Sequence, residues 1–299
     1  MANVWDAMKK HEAEKAAAPP AEARAAGSPP SVPGALPQAA PAGSQSTPAD
    51  PASASVAPLA PSAPPAALAT GVNRLSLNGY APQLVAHHDR GGEIAENMRA
   101  LRTNLLAQFP EERFCIMVTS AEKGEGKTVS CLNLAFVLAE RQERRTVVLD
   151  FDLRRRTISG LLHMNPSPGV VDVLRGTARL DDVIRPTVYG NLSVIPAGEV
   201  SRNEVGEVLH RPELDEMMAE LRRRYDYVLV DTPPVTIAPD ACMLGRAVTD
   251  ALLVVRMYRT NRETVDAAIR LLHAANIRPV GTVLTFHKYY IPRVLYYHT

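Results

Sequence analysis

The sequence predicts a doubly wound α/β domain with a mostly parallel sheet, preceded by a disordered region rich in proline and alanine. Three observations carry this. From about Val72 to Phe286, short apolar runs alternate with helix-period segments over roughly 200 residues, a normal size for one α/β domain. The runs are apolar without alternation, as in strands covered by helices on both faces. Thirteen of the 25 prolines lie between Pro19 and Pro65, in a stretch of Ala, Ser and Gly with almost no aromatic or β-branched residues. Such a stretch has too little to bury to offset the entropy of ordering. The expected organisation is a short N-terminal segment over 1–18, a tether over 19–72, the α/β domain over 73–286 and a tail over 287–299.

The elements follow in order. Asn3 to Lys15 has Val4, Ala7, Met8 and His11 at amphipathic-helix spacing, with a frayed terminus as the competing reading. Residues 92–109 read as a helix, because Ile94, Met98, Leu101, Leu105 and Leu106 recur near the 3.6 period and Pro110 closes it. Phe114 to Thr119 is a buried strand, followed by a glycine-rich turn, a helix from about Lys127 to Arg141, and a strand from Thr146 to Asp150. Further strands are expected at 191–196, 227–231, 251–256 and 280–284, separated by helices at about 212–224 and 262–275. Ligands of such sheets bind outside the carboxyl ends of the strands.

Composition narrows the function. A formal charge of +1 gives no global field to attract nucleic acid. Cys115, Cys131 and Cys242 are odd in number and widely spaced, which fits reduced thiols better than a disulfide framework. The apolar runs, such as Ala251 to Val255, fall far short of the roughly 20 residues of a membrane span. Lys9 and Lys10 are followed by no apolar stretch, so no secretory signal is expected and the chain reads as cytoplasmic. His87 and His88 lack ligand spacing and read as a polar linker.

Three motifs carry chemistry. Ala121-Glu-Lys-Gly-Glu-Gly-Lys127-Thr128 follows a strand and opens a helix. Gly124, Glu125 and Gly126 supply a backbone whose N–H groups can turn toward phosphate, and Lys127, Thr128 and Val129 begin the helix whose positive end faces it. Lys127 would reach the β and γ phosphates and Thr128 would bind Mg²⁺. Next, Val147-Val-Leu-Asp150-Phe-Asp152-Leu-Arg154 ends a strand with two acids. On extended backbone they project to one side, so both are expected to face the phosphate site, Asp150 orienting a hydroxyl and taking its proton late while Asp152 holds Mg²⁺ through water, with Arg154 near the nucleotide. A surface acidic pair is the competing reading. Last, Tyr227-Val-Leu-Val-Asp231-Thr-Pro-Pro places Asp231 at the sheet's carboxyl edge, for a metal-bound water or the Thr128 hydroxyl; a helix cap is the alternative.

Together, Lys127 and Thr128, the DxDxR acids and the DTPP strand resemble the cytoplasmic domain of the bacterial tyrosine kinases of the polysaccharide co-polymerase system. The resemblance covers about Gly91 to the last residue and implies a P-loop NTPase fold of the deviant Walker A class, with ATP and Mg²⁺ as cofactors. Glu96, Arg99 and Arg102 match the family's ExxRxxR ring-packing helix, although a solvated helix face also accounts for them. Tyr289, Tyr290, Tyr296 and Tyr297 match its substrate tail. The resemblance therefore implies an autokinase that phosphorylates its tail in trans within a ring and regulates exopolysaccharide or capsule synthesis. It also implies a separate membrane co-polymerase that recruits the chain to the inner face of the membrane, and a tyrosine phosphatase. Two departures stand out: Lys123 replaces a proline before the glycine turn, and Thr285 stands where the family has asparagine. The alternatives are an ATPase switch of the MinD/ParA type, against which Glu122 counts because that class places its signature lysine there, and a nucleotide-gated scaffold.

Overall fold

The computed structural model describes residues 79–109 and 111–287; the expected N-terminal helix, the proline-rich tether and the tyrosine tail lie outside them. The order is α1 (Val85–His88), α2 (Glu93–Leu106), β1 (Phe114–Ser120), α3 (Lys127–Leu138), β2 (Thr146–Asp150), α4 (Thr157–Leu161), α5 (Val170–Leu174), α6 (Leu180–Val183), β3 (Arg185–Pro186) and β4 (Leu192–Ile195). Then come α7 (Val205–Leu209), α8 (Glu213–Arg224), β5 (Tyr227–Asp231), α9 (Asp240–Met243), β6 (Asp250–Arg256), α10 (Arg262–Ala274) and β7 (Arg278–Thr285).

The strands form one sheet in the order β3-β4-β2-β5-β1-β6-β7. All neighbours run parallel except the two-residue β3, which is antiparallel to β4. The central strands are buried on both faces because successive side chains enter opposite cores. Met117, Val147, Leu149, Val228, Val230 and Leu253 pack into one, with α5, α7 and α8. Ile116, Val118, Val148, Leu229, Leu252 and Val254 pack into the other, against α3. This confirms the doubly wound fold. Helix α3 is buried along nearly its whole length, which explains why its sequence is apolar all round rather than amphipathic.

Two expectations need correction. The periodicity of 92–109 overshoots: α2 stops at Leu106, short of Pro110. His87 and His88 belong to α1 rather than to a polar linker. The His87 ring is 7% exposed, lies among Tyr80, Phe136 and Tyr189, and its Nδ1 is 2.8 Å from the Tyr189 hydroxyl. The sequence also gave no sign of α4, α5, α6, α7 and α9, since helices of four or five residues are too short to show a period.

Helix α1 is fixed to α3 by Asn133, which is 2% exposed. Its Oδ1 accepts from the Ala86 N–H at 2.8 Å, and its Nδ2 donates to the Val129 carbonyl at 2.9 Å. Replacing Asn133 by Ala strands the buried Ala86 N–H, so Asn133→Ala is expected to lower the unfolding free energy by about 1–3 kcal/mol in urea denaturation.

Candidate nucleotide site

The turn between β1 and α3 has the backbone that phosphate binding requires. Gly124 and Gly126 sit at φ +79° and +89°, left-handed values that side chains disfavour, and Gly126 caps the start of α3. Lys127 follows, 8% exposed, but its ammonium points to acids. Nζ is 2.9 Å from Asp152 Oδ2 and 3.3 Å from Asp231 Oδ1. The Thr128 hydroxyl donates to Asp231 Oδ2 at 2.7 Å. Asp231 thus orders the Thr128 hydroxyl, one of the two roles expected of it.

The two acids of the DxD motif do not act as an equivalent pair. Strand β2 ends at Asp150, and the chain then turns toward α4. Asp150 Oδ1 accepts from the Asp152 N–H and Oδ2 from the Ile158 N–H, both at 3.1 Å, so its carboxylate shapes the β2–α4 loop. Asp152 is 1% exposed, and its carboxylate is held by the Lys127 ammonium, whose Nζ lies 2.9 Å from Oδ2.

Burial pushes the pKa of Asp150 well up, and the facing Asp231 adds to the effect. Burial raises Asp231 too, against the pull of Lys127 and the Thr128 hydroxyl. Lys127 itself is raised: burial works against its charge, but Asp231 and Asp152 outweigh it. Three buried carboxylates share one ammonium, and among the described residues the Asp152 carboxylate has no close polar partner besides it. Hard oxygen donors of this kind fit magnesium, which keeps several waters and takes its remaining ligands from phosphate. Among the described residues no cluster of three acid, histidine or cysteine side chains forms a metal cage by itself.

Other expected residues are placed differently. Arg154, expected at the nucleotide, makes a bidentate pair with Asp240 of α9, through Nε at 2.6 Å and Nη2 at 2.9 Å. The Glu125 side chain is committed to bracing: Oε2 accepts from the Glu122 N–H at 2.6 Å, and Oε1 from the Arg256 N–H at 3.0 Å and the Thr260 hydroxyl. Only its backbone is left for phosphate. Val129 is half-buried in the first turn of α3, its carbonyl engaged by Asn133. On α2, Arg99 and Arg102 converge on Glu140 of their own chain, at 2.5 and 3.1 Å, while Glu96 stays largely exposed beside Arg99. The Arg99 hydrogen bonds hold Glu140 below the usual carboxylate range.

Thr260, Asp240 and Glu140 were not found from the sequence, because each acts on a residue 38 to 135 positions away. Thr285, noted only as a departure, donates to the Glu125 carbonyl at 2.7 Å. Beside it, the Arg256 guanidinium lies 4.0 Å from the Phe286 ring centroid. That pair helps to line a hollow of about 290 Å³ next to Gly126. A larger hollow of about 440 Å³ lies at the opposite edge, by the starts of β1, β5 and β6, away from the carboxylates.

A buried acid whose pKa is raised binds its proton more tightly folded than unfolded, so its stabilising share is present at low pH and lost as pH rises through the folded value. Lys127→Met removes the pull that limits this rise. It is expected to cost about 3–5 kcal/mol at pH 7 in EDTA. The deficit relative to wild type should shrink as pH falls and the carboxylates take up protons, a trend read by urea denaturation at pH 5 and pH 7.

An AAA domain family profile matches residues 114–256. The chain is similar to the tyrosine-protein kinase Wzc of Salmonella typhi, 32% identical over 203 residues that make up 68% of this chain and 28% of that protein. It therefore spans little more than a quarter of that relative. Among solved structures, the kinase domain of the Escherichia coli tyrosine kinase Etk matches with a TM-score of 0.64 and 29% identity, over 70% of this chain and 83% of that one. The VpsO kinase domain matches with a TM-score of 0.59 and 32% identity, over 66% of this chain and 98% of that one. The septum site-determining protein MinD of Pyrococcus horikoshii, complexed with Mg-ADP, is a weaker match at a TM-score of 0.51 and 26% identity, over 61% of this chain and 75% of that one. Near-complete coverage of a kinase domain at this identity, on a P-loop fold with both acid motifs in place, shows that the chain belongs to the bacterial tyrosine kinase family.

Proposed function

We propose that the chain is an ATP-dependent protein-tyrosine autokinase that phosphorylates Tyr289, Tyr290, Tyr296 and Tyr297 in trans within an oligomer, and thereby regulates exopolysaccharide or capsule synthesis and export. The observation that carries this reading is the buried group of Lys127, Thr128, Asp152 and Asp231 at the mouth of a glycine turn. Such a group suits phosphoryl transfer, which depends mainly on positioning and on charge stabilisation.

The backbone of Gly124 to Thr128 holds the phosphates, and Lys127 exchanges its acid partners for phosphate oxygens. Thr128 and Asp231 would hold Mg²⁺, which when bound would neutralise charge on the β and γ phosphates. The tyrosine oxygen bonds to the γ phosphorus as the bond to the β–γ bridging oxygen breaks, and ADP leaves. A phenol has a pKa of about 10, so its proton departs late. Asp152, rather than the expected Asp150, receives it, because Asp150 has both oxygens engaged by backbone amides and acts by positioning the loop, whereas Asp152 is released when the Lys127 ammonium turns to phosphate.

Among the described residues no helix is long and apolar enough to cross a membrane. A separate co-polymerase protein is proposed to recruit the chain to the inner membrane face, and a tyrosine phosphatase to reverse the modification. Glu96, Arg99 and Arg102 are proposed to join neighbours in a ring, where the two arginines must be shared with Glu140. Four phosphotyrosines add about −6 to −8 charge to the tail, which opposes its return to an acidic site. The modified ring is accordingly expected to dissociate in native mass spectrometry; an unchanged assembly after complete phosphorylation contradicts this.

The kinase test is mass spectrometry after incubation with Mg·ATP. Wild type should carry phosphotyrosine in the tail. Lys127→Met and the variant with all four tail tyrosines changed to Phe should carry none there, and Asp152→Asn should lose at least about a hundredfold in rate, the lower range for a lost general base. An unmodified tail despite ATP binding, with and without the membrane partner, favours the ATPase switch or scaffold instead.

A further inference from the structure

We propose that Glu125 is a positioning residue that holds the phosphate-binding turn in shape by strapping it to segment 256–260. The proposal rests on the reading of that turn as a nucleotide site and adds what keeps it ordered.

The turn has a conformational problem. Gly124 and Gly126 provide left-handed backbone at φ +79° and +89°, but glycine pairs are the most permissive backbone a chain can have. Preorganised N–H groups are needed for strong anion binding, so the freedom that admits the turn must be removed from outside it. Glu125 lies between the two glycines and is 1% exposed.

Its carboxylate is bonded at both oxygens. Oε2 accepts from the Glu122 N–H at 2.6 Å, closing the turn on itself. Oε1 accepts from the Arg256 N–H at 3.0 Å and from the Thr260 hydroxyl, anchoring the turn to the end of β6 and the loop that follows. The Glu125 carbonyl is held as well, by the Thr285 hydroxyl at 2.7 Å, which also reaches the Val255 carbonyl at 3.3 Å. One residue is thus gripped from the carboxyl ends of β6 and β7. Two backbone amides and a hydroxyl are neutral donors, so they fix geometry without adding positive charge. Buried and bonded at both oxygens, the glutamate serves as a brace.

Gln at this position keeps one acceptor oxygen but turns the other into an NH₂ donor, which then faces an N–H or hydroxyl that needs an acceptor. The experiment is calorimetric titration of the full chain with Mg·ADP and, separately, with Mg·pyrophosphate, for wild type, Glu125→Gln, Thr260→Val and Thr260→Ser. Glu125→Gln should weaken both ligands about tenfold. Thr260→Val should weaken both by about threefold or more, and Thr260→Ser, which keeps the hydroxyl, should match wild type. These Thr260 variants leave Glu125 itself intact, so they decide the matter even where Glu125→Gln folds poorly. Unchanged affinity in both Glu125→Gln and Thr260→Val, whatever their melting temperatures, overturns the proposal. So does a loss seen with ADP and not with pyrophosphate, because pyrophosphate reports on the phosphate turn alone. A wild type that binds neither ligand overturns the nucleotide reading together with this one, whereas binding without kinase activity leaves this inference standing.

Discussion

Three carboxylates and one ammonium, all buried at the carboxyl edge of the sheet, are the constraint around which the rest is arranged. Asp150 and Asp231 are register partners on adjacent strands β2 and β5, and Lys127 reaches Asp231 and Asp152 from the first turn of α3. Taking ions out of water costs several kcal/mol each even after relaxation, and mutual attraction repays this only with good geometry. One cation for three acids is poor compensation if stability were the object. Folds keep such groups at functional sites, where what binds completes the charge balance.

The topology delivers these groups without long loops. Insertion of β5 between β1 and β2 places Asp231 beside both the turn that follows β1 and the acid that ends β2. The glycine turn then presents the positive end of α3 to the same point. Burial on both faces makes β1, β2 and β5 rigid supports, which suits side chains that must hold position to a fraction of an ångström.

How much of this was legible follows from the range of each signal. Strands β2 and β5 were read to the residue, because an unbroken apolar run ending in aspartate is a local pattern. The P-loop was legible for the same reason: its glycines, lysine and threonine are contiguous. Arg154 and Glu125 lie inside recognisable motifs, yet what each side chain does is decided by Asp240, Arg256 and Thr260, between 86 and 135 positions away. His87 looked polar and solvent-bound, but the aromatic groups that enclose it come from Tyr80, Phe136 and Tyr189. Local spacing predicts elements and contiguous motifs; it does not predict which distant group a charged side chain will choose.

The arginine pairs show why that choice matters. With 33 basic and 32 acidic residues the chain is nearly neutral, and many of its arginines cross-link elements rather than build a charged face. Most of these pairs are exposed and are worth at most about 1 kcal/mol. Arg154–Asp240 differs, because Asp240 is 1% exposed and would be left as a buried charge without its partner. Asp240 begins α9, shortly after the DTPP segment, and Arg154 lies two residues beyond Asp152. The pair therefore ties the loop that carries Asp152 to the segment that leaves Asp231. The side chains of Arg154 and Glu125, which looked like nucleotide contacts in the sequence, are bonded instead to Asp240 and to Glu122, Arg256 and Thr260.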